Sequence, residues 1–383
     1  MDFSFDDIQE TMARVVINFA VKVLLPEYGY WDRREEFPRE QWNKMAGLGL
    51  LGLRVSAGYG GQEADSVTAG LMAEEVARGD FNCGYGILLT CLVGDILDKF
   101  ASEEVKSSWL PKMVKGEKVL CLALTEPHAG SDAAALKTRA VRKGDCYVLN
   151  GEKSAISLLM AADAAVVFAG TDPEARARGI SAFLVPLDLA GITRQSYPDM
   201  GSKAIVRGSL FLDDVSVPAN HLIGPEGGGF VQVMQAFDYS RVIIALMCLG
   251  AAQVTIEETI AYVKQRSAFG RPLAKFEGIS FPLVEWLARI EAARWLCYRT
   301  LWLRDRGLPH TKEAAMCKWL CPEIAAAAIH ECLLIHGHYG YTREFPVEQR
   351  LRDVIGLQIG DGTVQVQKII IAREVFGREF LPY

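Results

Sequence analysis

The sequence predicts an α+β protein that is mostly α: a helical block, a central sheet and a second helical block. Three observations carry that reading. From Phe5 to about Lys118 the apolar residues recur at helical steps. From about Val119 to Val217 the texture changes to short runs rich in Val, Ile, Phe, Tyr and Leu, punctuated by Gly, Asp and Pro. Beyond Gly227-Gly-Gly229 the helical period returns in long segments. The expected domains are an N-terminal helical domain over 1–118, an antiparallel β domain over 119–225 and a C-terminal helical bundle over 226–383.

Each element has its own signal. Ile8, Met12, Val15, Val16, Phe19 and Val23 sit mostly three or four residues apart, and the stretches from Glu40 to Leu51 and from Val67 to Ala77 behave similarly. Strands are expected at Tyr147-Val-Leu149, Ala165-Val-Val-Phe-Ala169, Ser181-Ala-Phe-Leu-Val185 and Ser209-Leu-Phe-Leu212. Long helices are expected over roughly Phe230 to Arg266, Gly278 to Arg306, His310 to His336 and Gly362 to Phe376. No internal repeat or low-complexity tract interrupts them.

Charge and composition narrow the function. Lys plus Arg number 41 against 47 Asp plus Glu, a net charge of −6, so no global basic field is available to hold a phosphate backbone. The longest apolar runs, such as Val242 to Gly250, fall short of the ~20 residues that span a bilayer, and no membrane span is expected. Nine cysteines lack paired metal-ligand spacing, and the N-terminal Met1 to Asp7 is acidic, without the basic start of a signal peptide. A reducing, cytoplasmic address is the expectation. Several motifs fail on context. Gly47-Leu-Gly-Leu-Leu-Gly52 matches G-x-G-x-x-G but follows a helix rather than a strand, and reads as a glycine-capped helix end. His336-Gly-His338 has no carboxylate or cysteine set to complete a metal site, so no metal is expected. Cys317 and Cys321 share one helix face and read as core.

Other blocks carry chemistry. Leu124-Thr-Glu-Pro-His-Ala-Gly-Ser-Asp132 offers amides and hydroxyls to an anionic or hydrogen-bonding ligand. It is followed by Tyr147-Val-Leu-Asn-Gly-Glu-Lys-Ser-Ala-Ile-Ser157, Asp214-Val-Ser-Val-Pro218, Arg266-Ser-Ala-Phe-Gly270, and Arg352-Asp353 with Gly360-Asp-Gly-Thr-Val-Gln365. In this order the five blocks resemble the acyl-CoA dehydrogenase flavoproteins, over nearly the whole chain from Asp6 to Glu379. The resemblance implies a C-terminal bundle of four helices, a bound FAD and an acyl-CoA substrate. A carboxylate removes the proton next to the thioester carbonyl while the β-hydrogen leaves as hydride to the flavin.

The resemblance also assigns residues. Leu124, Thr125, Gly130 and Ser131 are implied to hold the cofactor, Thr125 at the flavin ring and Ser131 near cofactor phosphate or CoA. Ser157 lies beside the flavin. Arg266 and Phe269 match the Arg-x-x-Phe-Gly block, whose arginine in relatives reaches the FAD of a neighbouring subunit, which implies a homo-oligomer, usually a tetramer. Thr363 and Gln365 match residues that touch FAD, and Asp238 and Arg241 match CoA-binding positions. Where relatives have Glu-Gly-Thr this chain has Asp361-Gly362-Thr363, so Asp361 is the expected base. The alternative base position of some relatives is Ser240, which cannot act as one.

Substrate expectations follow from departures. Gly360 replaces a Tyr common before the catalytic residue, and with the shorter base it points to a branched or ring-bearing acyl group. Cyclohexanecarboxyl-CoA or cyclohexenecarboxyl-CoA is the favoured substrate, with a short branched chain as the alternative. Gly360 and Gly362 are counted with the substrate site, and Asp95 and Asp98 as candidates for a second base. Ala155 stands where many relatives have a flavin-flanking Trp on the way to electron-transferring flavoprotein, the expected acceptor. Leu334, Gly337 and His338 stand where relatives carry a Gln and paired Gly at the adenine end of FAD, only Gly337 being retained, and Glu277 replaces a common Gln. An enoyl-CoA-reducing relative and a silent flavin- or acyl-CoA-binding subunit are the competing readings.

Overall fold

The computed structural model describes residues 4–380; Met1 to Phe3, part of the N-terminal reading, lie outside the described residues. The first helix, α1 (Asp7–Phe19), starts at a reciprocal cap in which Gln9 N donates to Asp6 Oδ1 at 2.8 Å and Asp6 N donates to the Gln9 side chain at 3.1 Å. A π-helical turn over Ala20–Leu24 leads to α2 (Tyr28–Arg34) and α3 (Arg39–Gly47). The Gly47 to Gly52 segment ends that helix as expected, with Gly49 at φ +75. Then follow α4 (Ser66–Gly79), α5 (Phe81–Phe100) and α6 (Glu103–Val114). Helix α5 is buried on every side over most of its length, so it shows no polar face for a periodicity argument to find.

The sheet comprises β1 (Leu120–Ala123), β2 (Arg139–Lys143), β3 (Cys146–Ile156), β4 (Ala164–Gly170), β5 (Ile180–Pro186), β6 (Ile192–Ser196), β7 (Gly208–Pro218) and β8 (Leu222–Ile223). Its order is β6-β7-β3-β2-β4-β5-β8, with β1 beside β4. All four expected runs lie inside strands. The expectation of a purely antiparallel sheet is corrected: β1 pairs parallel to β4 from Leu120↔Ala164 to Ala123↔Val167, and β2 meets β4 parallel at Arg139↔Gly170. The physical reason is the connection: a whole β2–β3 hairpin lies between β1 and β4, which gives the chain length to cross over and return in the same direction. Strand β3 pairs with β7 through two irregularities, between Leu149 and Gly151 and between Lys153 and Ile156.

The C-terminal block opens at Gly227, φ +78. It contains α7 (Gly229–Gln265), a small hairpin of β9 (Ser267–Ala268) and β10 (Arg271–Pro272), then α8 (Glu277–Asp305), α9 (Thr311–His336), α10 (Val347–Ile355) and α11 (Val364–Phe376). Helix α9 packs on α7, α8 and α11, and α4 packs on α7. A Cβ on Gly250 of α7 would lie 2.4 Å from the Glu74 carbonyl oxygen of α4, so these two helices cross at backbone contact. Glu74, buried, accepts from Arg294 Nε at 2.7 Å and Tyr298 Oη at 2.6 Å, tying α4 to α8.

The length of apolar stretches corrects a second expectation. Among the described residues, three helical segments, Phe81–Phe100, Gly229–Gln265 and Thr311–Tyr341, are by length and composition long and apolar enough to cross a membrane. Counting unbroken apolar runs missed them, because isolated polar residues interrupt segments that remain apolar on average. In the first two, 94% and 89% of the most apolar stretch is covered by the rest of the protein.

Candidate active site

The turn from Gly360 to Gly362 joins a 3₁₀ turn (Gly356–Gln358) to α11. Asp361 has φ +55 and Gly362 φ +93, a conformation that favours glycine and that an aspartate holds only with support. The support comes from three sides. Lys318 of α9, fully buried, donates to Leu357 O at 2.6 Å and Gly362 O at 3.3 Å. Gln367 of α11 donates to Asp361 O at 3.3 Å and Gly362 O at 3.0 Å. Ser240 of α7 donates its hydroxyl to Asp361 Oδ2 at 3.0 Å. Thr363 caps α11 by accepting from Val366 N.

Charge converges on the same point. Burial pushes the Lys318 ammonium down to about 8, against the pull of the Asp361 carboxylate. Burial likewise lowers Arg241, with Asp238 and Asp361 opposing. Arg241 Nη1 donates to Asp238 Oδ1 at 2.7 Å, and Asp238 Oδ2 accepts from Thr311 at 2.6 Å, while Arg241 Nε is buried without a partner among the described residues. Asp361 Oδ1 bonds no described residue and is the open oxygen of the pair.

A second group forms around Thr125. The buried Glu126 accepts from the backbone N of Lys137 at 2.6 Å and of Thr138 at 2.9 Å, and from Lys153 Nζ at 2.8 Å. Lys153, with no exposed surface, also donates to Leu124 O at 2.9 Å. Burial pushes the Glu126 carboxyl up, but Lys153 and the two amides outweigh it and leave it below its ordinary value; burial holds Lys153 down at about 8. The pair pins the Thr125 loop to β3, where Ser154 N donates to Thr125 O at 2.8 Å. The partly exposed Thr125 and Ser157 hydroxyls bond no described residue, and Ala155 beside them is exposed at φ +54. Ser131 and Gly130 lie exposed on the same loop.

A third group is remote within one chain. Arg266 and the 96% exposed Phe269 lie on the hairpin after α7, and Gly337, φ +62, follows α9. Tyr262 stacks on His336 with centroids 4.3 Å apart, bringing these two helix ends together. Arg266 is 26 residues beyond Ser240 on the same helix, about 39 Å at 1.5 Å per residue. The structure thus gathers Asp361, Gly360, Gly362, Thr363, Asp238 and Arg241 in one place and Leu124, Thr125, Gly130, Ser131 and Ser157 in another, and leaves Arg266, Phe269 and Gly337 at the far end. Gln365 is exposed on the first turn of α11. Asp95 is held by Arg304 at 2.5 Å and by Lys99 at 3.2 Å, and Asp98 accepts from Ser56 N at 2.9 Å, both structural engagements.

Family profiles decide what these groups belong to. Residues 6–117 match the N-terminal domain of acyl-CoA dehydrogenase, 121–215 its middle domain and 227–376 its C-terminal domain. The chain belongs to the acyl-CoA dehydrogenase family. It is 36% identical over 378 residues to a probable acyl-CoA dehydrogenase of Bacillus subtilis, covering 98% of this chain and 100% of that one. It is 38% identical over 358 residues to the mitochondrial short-chain specific acyl-CoA dehydrogenase of Homo sapiens, covering 93% and 87%. The structure of butyryl-CoA dehydrogenase from Megasphaera elsdenii superposes with a TM-score of 0.94 at 34% identity, covering 98% and 99%.

An acyl-CoA dehydrogenase is an FAD-dependent oxidoreductase acting on a CoA thioester. The residues present fit that cofactor: two free hydroxyls at adjoining strand ends, beside an exposed Ala155, suit the heteroatom edge of a flat ring. Sequence reasoning missed Glu126, Lys153, Lys318 and Gln367. Their chemistry comes from burial, and no local pattern marks a lysine as buried.

Proposed function

We propose that the chain dehydrogenates a short acyl-CoA, with Asp361 as the base. The observation that carries this is the clamped turn: a carboxylate in a left-handed conformation, with one oxygen bonded by Ser240 and the other free. In this reading Asp361 Oδ1 takes the proton from the α-carbon. Arg241 and Lys318 lie within electrostatic reach of Asp361. Bound FAD supplies the hydride acceptor. Thr125 and Ser157 would hold its ring, with Leu124, Gly130 and Ser131 on the loop beside it, and Thr363 and Gln365 would contact it from α11.

In this reading Arg266, with Phe269 beside it, would serve the cofactor of a second copy and Gly337 the adenine end of FAD; the ~39 Å between Ser240 and Arg266 along α7 supports the first assignment. A homotetramer is the assembly proposed, and its support is the exposure of Phe269, Phe281, Val284, Leu334 and Tyr341 on the C-terminal block. Electron-transferring flavoprotein is the acceptor proposed, at the exposed Ala155 edge. The nine cysteines are all free thiols, which supports a reducing, cytoplasmic setting. The domain limits at 118 and 225 are proposed on the start of β1 at Leu120 and of α7 at Gly229.

The short-chain and butyryl-CoA dehydrogenases among its relatives favour a short straight acyl group. One observation favours a ring or branch instead. A Cβ at Gly360 would touch only Leu357 Cδ2 at 3.6 Å and Gly356 O at 3.7 Å, so the glycine leaves room that packing does not demand. Anaerobic flavin bleaching against butyryl, octanoyl, isobutyryl, cyclohexanecarboxyl and cyclohexenecarboxyl thioesters decides between them. Fastest bleaching by butyryl-CoA is expected; selective bleaching by the ring thioesters would move the substrate to the alicyclic class. Asp361→Asn is expected to lose roughly 10²–10⁴-fold in rate while keeping bound flavin.

A further inference from the structure

We propose that Ser240 is a positioning residue for the base, aiming Asp361 through its hydrogen bond to Oδ2. The inference rests on Asp361 being the base and adds what prepares it. Ser240 is fully buried, so no solvent competes for its hydroxyl. Its Oγ lies 3.0 Å from Asp361 Oδ2 and 3.4 Å from the Phe237 carbonyl of its own helix. One hydrogen serves two acceptors, and the charged one is nearer. A hydrogen bond to a carboxylate is among the stronger ones, so the tether holds the orientation of the Asp361 side chain.

The geometry also explains how a short base is aimed. Asp361 has one methylene fewer than glutamate and sits at φ +55, with few rotamers to choose from. Tethering Oδ2 to α7 leaves Oδ1 as the open acceptor. In the step itself the α-carbon–hydrogen bond breaks, its proton goes to Oδ1, and its electron pair stays on the substrate to form the α,β double bond; FAD, held by Thr125 and Ser157, would supply the acceptor for the β-hydrogen and its pair. The Ser240 hydrogen stays on Oγ throughout. The other groups acting on Asp361 are Arg241 on the same helix, Lys318 on α9 and Tyr85 on α5, with Asp238 and Arg373 beyond Arg241. Replacing Ser240 leaves all of them in place.

The test uses the flavin-loaded enzyme and two readouts, the rate of anaerobic flavin bleaching by butyryl-CoA against pH and the wash-in of deuterium at its α-carbon in D₂O. Ser240→Ala is expected to slow both about tenfold across the profile. Ser240→Thr, which keeps the hydroxyl, is expected to restore both rates. Unchanged profiles in Ser240→Ala, with Asp361→Asn inert in both readouts, would overturn the role of Ser240 and leave the base assignment standing. Wild-type exchange in Asp361→Asn would remove the base and this inference together.

Discussion

A single turn shows how far one residue's identity depends on its neighbours. Asp361 was visible in the sequence because it stands in an ordered series of blocks. Its surroundings were not, since Ser240, Lys318 and Gln367 come from three helices separated by up to 127 residues of chain. At this scale Gly360 is the informative position for specificity. Its φ lies outside the left-handed range and a Cβ there meets only ordinary contacts, so Gly360→Tyr is expected to fold, with its melting temperature little changed. It should cut turnover of any ring or branched thioester at least about tenfold, while butyryl-CoA holds within about threefold, a split read directly from kcat/KM on both substrates. Equal loss on both would show that the glycine is not a specificity element.

Among elements, the Thr125 loop depends on one buried ion pair. Lys153 and Glu126 have no more than 1% of their side chains exposed, so removing one partner leaves a charge without water. Lys153→Met is expected to destabilise the protein by roughly 3–5 kcal/mol, measured by denaturant unfolding, with flavin lost at lower denaturant than in wild type. The long helices were legible because an apolar period runs through each, although α7, α8 and α9 begin without a side-chain cap. Helix α5 fell inside the block read as helical but, apolar around its circumference, shows no distinct face, and α10 was missed because nine residues with four ionisable side chains look like surface until Arg350 and Asp353 are seen to be buried. The parallel pairing of β1 was equally hidden, since strand direction is a property of the crossover and not of the strand's own residues.

Across the whole molecule, two buried carboxyls and a half-buried third couple stability to pH. Burial raises Asp353 to about 7, Asp80 to about 6 and Glu75 to about 7. Their folded values lie above the unfolded ones, so the fold binds protons that the open chain has released. Their contribution is complete below about pH 4 and is lost as pH rises through 6 to 7. Asp80→Asn keeps an acceptor for Asn82 N and Cys83 N, the bonds that start α5, and removes one such group. The melting temperature of that variant is expected to fall less steeply than wild type between about pH 4 and 6. An identical slope would mean that Asp80 is ionised in the fold at its ordinary value.

By itself the sequence determined the helical, sheet and helical order, the family, and a carboxylate at Asp361 in the turn before α11. Those features are written in local periodicity and in blocks a few residues long, which survive without knowledge of what packs on what. The tertiary structure alone decided which carboxylate oxygen is free, which lysines are buried, and that Arg266 lies a helix length away from Asp361. Such facts depend on desolvation and on distances between segments far apart in the chain. The physics that makes a buried lysine costly or a serine hydroxyl a selective donor begins only when folding has excluded the water around them.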